Sequence, residues 1–171
     1  MAPDSTDLAT LHARDADYAL RRARRDDLPA LIALLATDAF RGGEDSTSPE
    51  ARAGYERAFD AIDADPANLL VVVEPVAGPD AEQVVGTMQL TLIPGLARGG
   101  STRLQIEAVR IDERLRSGGI GSAMIRWAVD RGREQGASLV QLTSDARRID
   151  AHRFYARLGF EPSHTGFKLF L

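Results

Sequence analysis

The sequence contains no cysteine, one lysine and one tryptophan, and its apolar runs are short. Without cysteine, disulfides, thiolate metal sites and a cysteine nucleophile are excluded. The histidines His12, His152 and His164 lie far apart and show no metal-ligand spacing, so we predict no metal. Runs such as Leu69–Val73 are far shorter than the roughly 20 residues of a transmembrane helix, so we predict no membrane association.

An excess of positive charge is also missing, since 21 basic and 25 acidic residues give a net charge of −4. This balance argues against nucleic-acid binding, which requires a basic surface. The N-terminus has no basic region followed by an apolar stretch, so no secretory signal is predicted and a cytoplasmic location is expected. All but one of the basic residues are arginine, which we interpret as a compositional bias.

The length of 171 residues suits one domain. Residues 1–16 are polar without an apolar period, so we predict a mobile tail there, followed by a single domain over residues 17–171. The predicted elements are a strand Tyr18–Arg24, a helix carrying the Leu28–Leu35 stripe, a helix Ser48–Ala64, strands Asn68–Glu74, Val84–Ile93 and Arg103–Ile111, a helix ending near Gly136, a strand Leu139–Thr143, a helix Ile149–Leu158 and a strand Phe167–Leu171. Strands and helices interleave only in the second half, which predicts an α/β (α+β mixed) fold with helices on both faces of a mixed sheet.

A glycine-rich turn between the strand ending at Ile111 and the following helix is the most informative segment. Glycines occupy positions 118, 119 and 121. The first turn of a helix presents backbone N–H groups without partners, and glycines let a phosphate approach them closely. A Walker loop requires Gly-Lys-Ser/Thr here, but Gly121 is followed by Ser122 and an alanine. A dinucleotide fingerprint requires a third glycine where Met124 stands.

Two segments carry a resemblance to a known family. The segment Arg116–Gly121 (RSGGIG) resembles the Arg/Gln-x-x-Gly-x-Gly/Ala motif of the GNAT superfamily of acetyl-CoA-dependent N-acetyltransferases. The segment Ala151–Phe160 (AHRFYARLGF) is similar to the family's A-x-x-F-Y-x-x-L-G-F pattern. The resemblance implies a mostly antiparallel sheet of six or seven strands in which two central strands splay apart. It also implies acetyl-CoA as co-substrate, with no metal.

The resemblance implies where the coenzyme binds. Its pyrophosphate would lie on the N–H groups of Ser117–Ser122 with help from Arg116, and its pantetheine arm would pair with the strand edge at Val109 and Ile111. Many relatives carry asparagine where this chain has Arg148, so that contact is either lost or replaced by an arginine–phosphate contact. The implied coenzyme residues are Val109, Arg110, Ile111, Arg116, Ser117, Gly118, Gly119, Ile120, Gly121, Ser122, Arg148 and Tyr155.

Two side chains have implied catalytic roles. Glu107 is a candidate general base, because an ammonium acceptor must lose a proton before it attacks. The alternative is that Glu107 binds the acceptor cation. Tyr155 occupies the position of the family's tyrosine, which donates a proton to the departing thiolate.

The acceptor implied by the resemblance is a primary amine of a small molecule, attacked directly in a ternary complex. A protein or peptide acceptor, and a non-catalytic acyl-CoA sensor, are the alternatives. Arg98 and Arg103 flank the loop Pro94–Ser101 and are candidates for recognising an acceptor carboxylate or phosphate. A homodimer is common among relatives and is the expected assembly.

Overall fold

A computed structural model describes residues 7–14, 16–38 and 45–171. Within these residues the chain builds one six-stranded sheet in the order β1-β2-β3-β4-β5-β6. Every neighbouring pair is antiparallel except β5 and β6, which are parallel. The strands are β1 (Asp7–His12), β2 (Asp17–Arg22), β3 (Asn68–Pro75), β4 (Gly86–Pro94), β5 (Thr102–Ile111) and β6 (Leu139–Leu142).

Helices cover both faces of this sheet, as the sequence predicted. The helices are α1 (Leu28–Ala36), α2 (Pro49–Ala64), the single turn α3 (Ala97–Gly100), α4 (Ile120–Glu134) and α5 (Ile149–Arg157). Alternate residues of a strand point to opposite faces. Val72 packs with α1 and α2, whereas its neighbours Val71 and Val73 pack with α4. None of the helices in the described ranges is both long and apolar enough to cross a membrane.

The helix termini follow the local sequence. Ser48 caps α2 by accepting a hydrogen bond from the backbone N–H of Ala51 at 3.3 Å, and Pro49 occupies the first helical position. Proline is tolerated there because its missing N–H has no intrahelical partner. Along α2, Phe59 is buried, and Tyr55 and Ile62 are half-buried.

The central strands β5 and β6 separate partway along their length. Their parallel pairing runs from Arg103 opposite Leu139 to Ile106 opposite Leu142, but β5 continues to Ile111. Ala108 has a φ of 52°, which is rare for a residue with a side chain, and the β4–β5 register shifts at this point. This bulge and the early end of β6 produce the splayed central pair that the resemblance implied.

Two predictions at the chain ends are wrong. The residues Asp7–His12, predicted as part of a mobile tail, form β1 and pair with β2; residues 1–6 lie outside the described residues. The predicted strand Phe167–Leu171 is not formed, and Phe167, Leu169 and Phe170 are 92%, 86% and 83% exposed. A strand requires a partner edge, and within the described residues none pairs with this segment, whereas β1 finds one in β2.

A buried arginine ties β2 to β3 and to the start of α1. Arg21 donates to both carboxylate oxygens of Asp27, at 2.7 and 2.9 Å, and to the carboxylate of Glu74. Burial by itself would raise the pKa of the Asp27 carboxyl, but the hydrogen bonds from Arg21 and from the backbone N–H of Arg24 bring it below its ordinary value. The three side chains form a buried ion cluster, and removing one of them would leave the others without counter-charge.

Replacing Arg21 by methionine should lower the free energy of unfolding by about 3–5 kcal/mol, because two buried carboxylates lose their counter-charge. Urea denaturation at neutral pH measures this loss. Arg25→Met is the matched control: Arg25 pairs with Asp60 on the surface, with side chains 54% and 57% exposed, and should cost less than about 1 kcal/mol. Equal losses in the two variants would contradict the assignment.

Candidate acetyl-CoA and acceptor site

The predicted phosphate-binding turn has the required backbone geometry. Ser117 and Gly119 have φ values of 71° and 96°, which turn the chain from β5 into α4. The N–H groups of Gly119–Ser122 have no hydrogen-bond acceptor in the described part of the chain. These amides and the positive end of the α4 dipole are suited to bind an anion.

Close packing explains the glycine at position 121. A Cβ atom there would stand 3.0 Å from Ile111 Cδ1 and 3.5 Å from Phe154 Cζ. The helix start is thus pressed against the end of β5 and against α5. The turn is held beside the two elements that carry the other predicted site residues.

Three arginines surround this turn. A cavity of about 400 Å³ beside it is lined by Arg14, Tyr18, Arg114, Leu115, Arg116, Ser117 and Gly118. Arg116 is paired with Glu113 at 3.0 Å and its side chain is 57% exposed, so it can exchange this surface partner for a phosphate. The backbone N–H of Arg14 donates to the Gly118 carbonyl at 3.0 Å. Sequence reasoning missed Arg14, because it was assigned to the tail.

The edge of β5 beyond Ile106 has β4 on one side only. Glu107, Arg110 and Ile111 pair with β4, and the described residues contain no strand on the other side of this segment. Such a free edge can receive an extended ligand. Just past β6, Ser144 Oγ is buried without a hydrogen-bond partner, which no sequence signal indicated.

A buried carboxylate joins two of the predicted coenzyme residues. Asp38, whose side chain is 2% exposed, accepts from Arg110 at 2.5 Å and also from Arg148. Arg110 lies on β5 and Arg148 directly precedes α5, so Asp38 connects the free segment of β5 with the start of α5. Sequence reasoning missed Asp38, which follows α1 and has no motif around it.

Tyr155 lies on α5 in an aromatic group. Its ring makes edge contacts with Phe154 and Phe160, with centroids 5.1 and 5.8 Å apart. Burial raises the pKa of the phenol, and the positive charges of Arg110 and Arg148 oppose this increase. The same two arginines that Asp38 holds therefore influence the acidity of Tyr155.

Glu107 lies on the sheet face that α1 and α2 only partly cover. Its side chain is exposed, and Gln89 of β4 stands directly opposite. On this face, the strand residues near Glu107 are polar. On the opposite face, their neighbours along the strands belong to the apolar core. We call this set the polar floor: Asn68, Gln89, Thr91, Gln105 and Gln141.

Hydrogen bonds hold the polar floor in place. Gln89 Nε2 and Thr91 Oγ1 donate to Asn68 Oδ1 at 3.2 and 2.7 Å. Gln141 Nε2 donates to Gln105 Oε1 at 2.6 Å, which links β6 to β5. A fixed polar surface next to Glu107 can recognise a polar acceptor.

Comparisons with known proteins define the class. The Acetyltransferase (GNAT) family matches residues 18–160, so this chain belongs to that family. Members of the family use acetyl-CoA as donor. The resemblance drawn from residues 116–121 and 151–160 is thereby confirmed, as is the fold that it implied.

Individual relatives differ in what their names say. A transcriptional regulator from Bacillus halodurans C-125 is 37% identical, with a TM-score of 0.82, and the match covers 90% of this chain and 99% of that one. An aminoalkylphosphonate N-acetyltransferase of Salmonella typhimurium is 46% identical over 48 residues, which are 28% of this chain and 31% of that protein. A tRNA(Met) cytidine acetyltransferase of Aeropyrum pernix is 26% identical over 82% of this chain and 20% of that protein.

Replacing Gly119 by alanine should lower the affinity for acetyl-CoA. A side chain at a φ of 96° costs about 1–2 kcal/mol, and relieving the strain tilts the amides away from the phosphates. We expect acetyl-CoA affinity, measured by calorimetry, to fall about tenfold or more, since one hydrogen bond to a charged group is worth roughly that factor.

Gly78 provides the matched control. It lies in the β3–β4 turn with a φ of 101° and has nothing within 4 Å of its Cβ position. Gly78→Ala should lose similar stability and keep full affinity for acetyl-CoA. Equal affinity in both variants would show that the α4 turn does not bind the coenzyme.

Proposed function

We propose that the protein transfers an acetyl group from acetyl-CoA to the primary amine of a small molecule, by direct attack in a ternary complex. The observation that carries this proposal is the free edge of β5 leading into the turn Ser117–Ser122, with Glu107 and Tyr155 beside it. With no cysteine in the chain, a cysteine-bound acyl-enzyme is excluded.

The N–H groups of Gly119–Ser122, which have no acceptor in the described part of the chain, support a coenzyme site at this turn. The amides of Ser117–Ser122 and the Arg116 guanidinium would hold the pyrophosphate, and the edge at Val109 and Ile111 would hold the pantetheine arm. A backbone N–H at Ala108 or Val109 would stabilise negative charge on the acyl oxygen. The bulge at Ala108 supports this role, because it reorients the peptide groups at this point of the strand.

Glu107 is proposed as the general base that takes a proton from the acceptor ammonium, directly or through a water. Its exposed carboxylate lies on the polar floor side of β5, where an acceptor can reach it. A role restricted to binding the acceptor cation is the alternative. Kinetics separate the two roles, since a base affects kcat and a binding residue affects KM.

Tyr155 is proposed as the proton donor to the departing thiolate. Burial keeps the phenol protonated, and Arg110 and Arg148 favour the phenolate that remains after proton transfer. Asp38 keeps both arginines in position. Arg110 and Arg148 are also proposed to contact the coenzyme. In the structure, both side chains pair with Asp38.

A small amine is the preferred acceptor class. One relative, the Salmonella typhimurium enzyme, is named for aminoalkylphosphonates, which are small amines. The polar floor supports this choice because its side chains offer hydrogen bonds rather than an apolar surface.

Removal of each proposed catalytic group should lower turnover. We expect Tyr155→Phe and Glu107→Gln each to reduce kcat by about 10²–10⁴-fold while acetyl-CoA affinity changes little. The assay follows thiol release over a panel of amines, with Glu134→Gln as a control for loss of an exposed carboxylate. Unchanged kcat in both variants would remove the two roles, and a KM effect alone for Glu107→Gln would leave it as a binding residue.

The pH dependence tests Tyr155 separately. A proton donor is active below its pKa, and burial raises this pKa above the ordinary value of 10.0. The ratio of wild-type kcat to that of Tyr155→Phe should therefore stay constant up to pH 10 and decline only above it. A decline of this ratio near neutral pH would contradict the assignment.

A coenzyme-binding module without turnover is the second candidate. It is favoured by the name of the Bacillus halodurans relative, a transcriptional regulator. The presence of both Glu107 and Tyr155 favours the enzyme. Acetyl-CoA binding combined with no acetyl transfer to any amine in a broad panel would support the module instead.

A further inference from the structure

Arg103 lacks an ion pair, which sets it apart from the other described arginines that are not exposed. The other described arginines that are not exposed each have a carboxylate within 4 Å; they are Arg21, Arg22, Arg110, Arg131 and Arg148. Arg103 has no ion pair among the described residues, and its Nε atom is buried without a hydrogen-bond partner. A charged group in this condition costs free energy unless something else pairs with it.

The strand geometry places Arg103 on the acceptor side of the sheet. Arg103, Gln105 and Glu107 alternate along β5 and so share one face, while Leu104 and Ile106 point into the apolar core. Gln105 belongs to the polar floor and lies between the two charged residues. The floor therefore has a carboxylate at one end and an unpaired guanidinium at the other.

The separation of these charges sets the size of what binds between them. Four residues of a strand at about 3.3 Å each put the Cα atoms of Arg103 and Glu107 roughly 13 Å apart. The side chains can reach over part of this distance. An acceptor that meets both groups must therefore carry its amine and its acid at opposite ends.

We propose that the acceptor is a zwitterion whose amine lies at Glu107 and whose acidic group, a carboxylate, phosphonate or phosphate, pairs with Arg103. A planar guanidinium binds such groups through two parallel hydrogen bonds, which fixes the orientation of the acceptor as well as its affinity. The inference rests on the proposed acetyl transfer and names the substrate class of that same site. It also predicts poor use of acceptors that carry only positive charges.

The test uses matched pairs of acceptors of increasing length. Each pair is an ω-amino acid and the amino alcohol of the same chain length, from three to eight carbons, so that only the acidic group differs. Acetyl transfer is measured for wild type, Arg103→Gln, Arg103→Lys and the control Arg126→Gln. Arg126 is exposed on α4, which packs on the opposite face of the sheet, and its replacement loses the same charge.

The expected result is an acid-specific change in KM. In wild type the acids should have KM values about tenfold or more below those of their alcohols at the longer lengths, a factor typical of one hydrogen bond to a charged group. Arg103→Gln should remove this advantage without changing the alcohols, Arg103→Lys should retain part of it, and Arg126→Gln should retain all of it. Thermal melting checks that the variants are folded.

Two failures can be told apart. If wild type acetylates acids and alcohols equally well, or if Arg103→Gln affects both alike, the zwitterion assignment is wrong and acetyl transfer stands. If no amine in either series or in the broad panel is acetylated although acetyl-CoA binds, the proposed function fails and the inference with it.

Discussion

The early end of the β5–β6 ladder is the constraint on which the site depends. The two strands share hydrogen bonds only as far as Ile106 and Leu142, yet β5 continues to Ile111. In an otherwise paired sheet this leaves one strand edge with exposed donors and acceptors, and such an edge is ready to receive an extended ligand. The glycine turn at Ser117–Ser122 follows after the short turn Glu113–Leu115, so the edge and the amides proposed to bind the pyrophosphate are close along the chain.

A group of charged side chains surrounds Tyr155 and affects its pKa. Asp38 holds Arg110 from β5 and Arg148 from the start of α5, and both arginines act on Tyr155. The cluster around Arg21 has a different purpose, because both of its carboxylates come from elements that build the sheet and α1. A buried ion pair is tolerated in the folded protein only when both partners are present, since a single buried charge is destabilising. Arg103 has no such pair, which is why it points to a ligand.

The two faces of the sheet differ in chemical character. Along β4 and β5, residues such as Met88 and Ile106 enter the core with α4, while their neighbours Gln89 and Gln105 form part of the polar floor. Because side chains alternate along a strand, β4 and β5 can fill the core on one face and carry polar groups on the other. The bulge at Ala108 interrupts this alternation at the place where chemistry is proposed, a common use of bulges near active sites.

The sequence alone determined the elements from β2 to α5 except the single turn α3, the family, and the proposed coenzyme residues, because these depend on local periodicity and on two short motifs. It did not predict β1, the absence of a final strand, or Arg14 beside the glycine turn, since strand pairing depends on which edges are free in the folded sheet. The contacts of Asp38 with Arg110 and Arg148 join residues 72 and 110 positions apart. The isolation of Arg103 is likewise a property of tertiary structure, because a charge is paired or unpaired only once the chain has placed its neighbours.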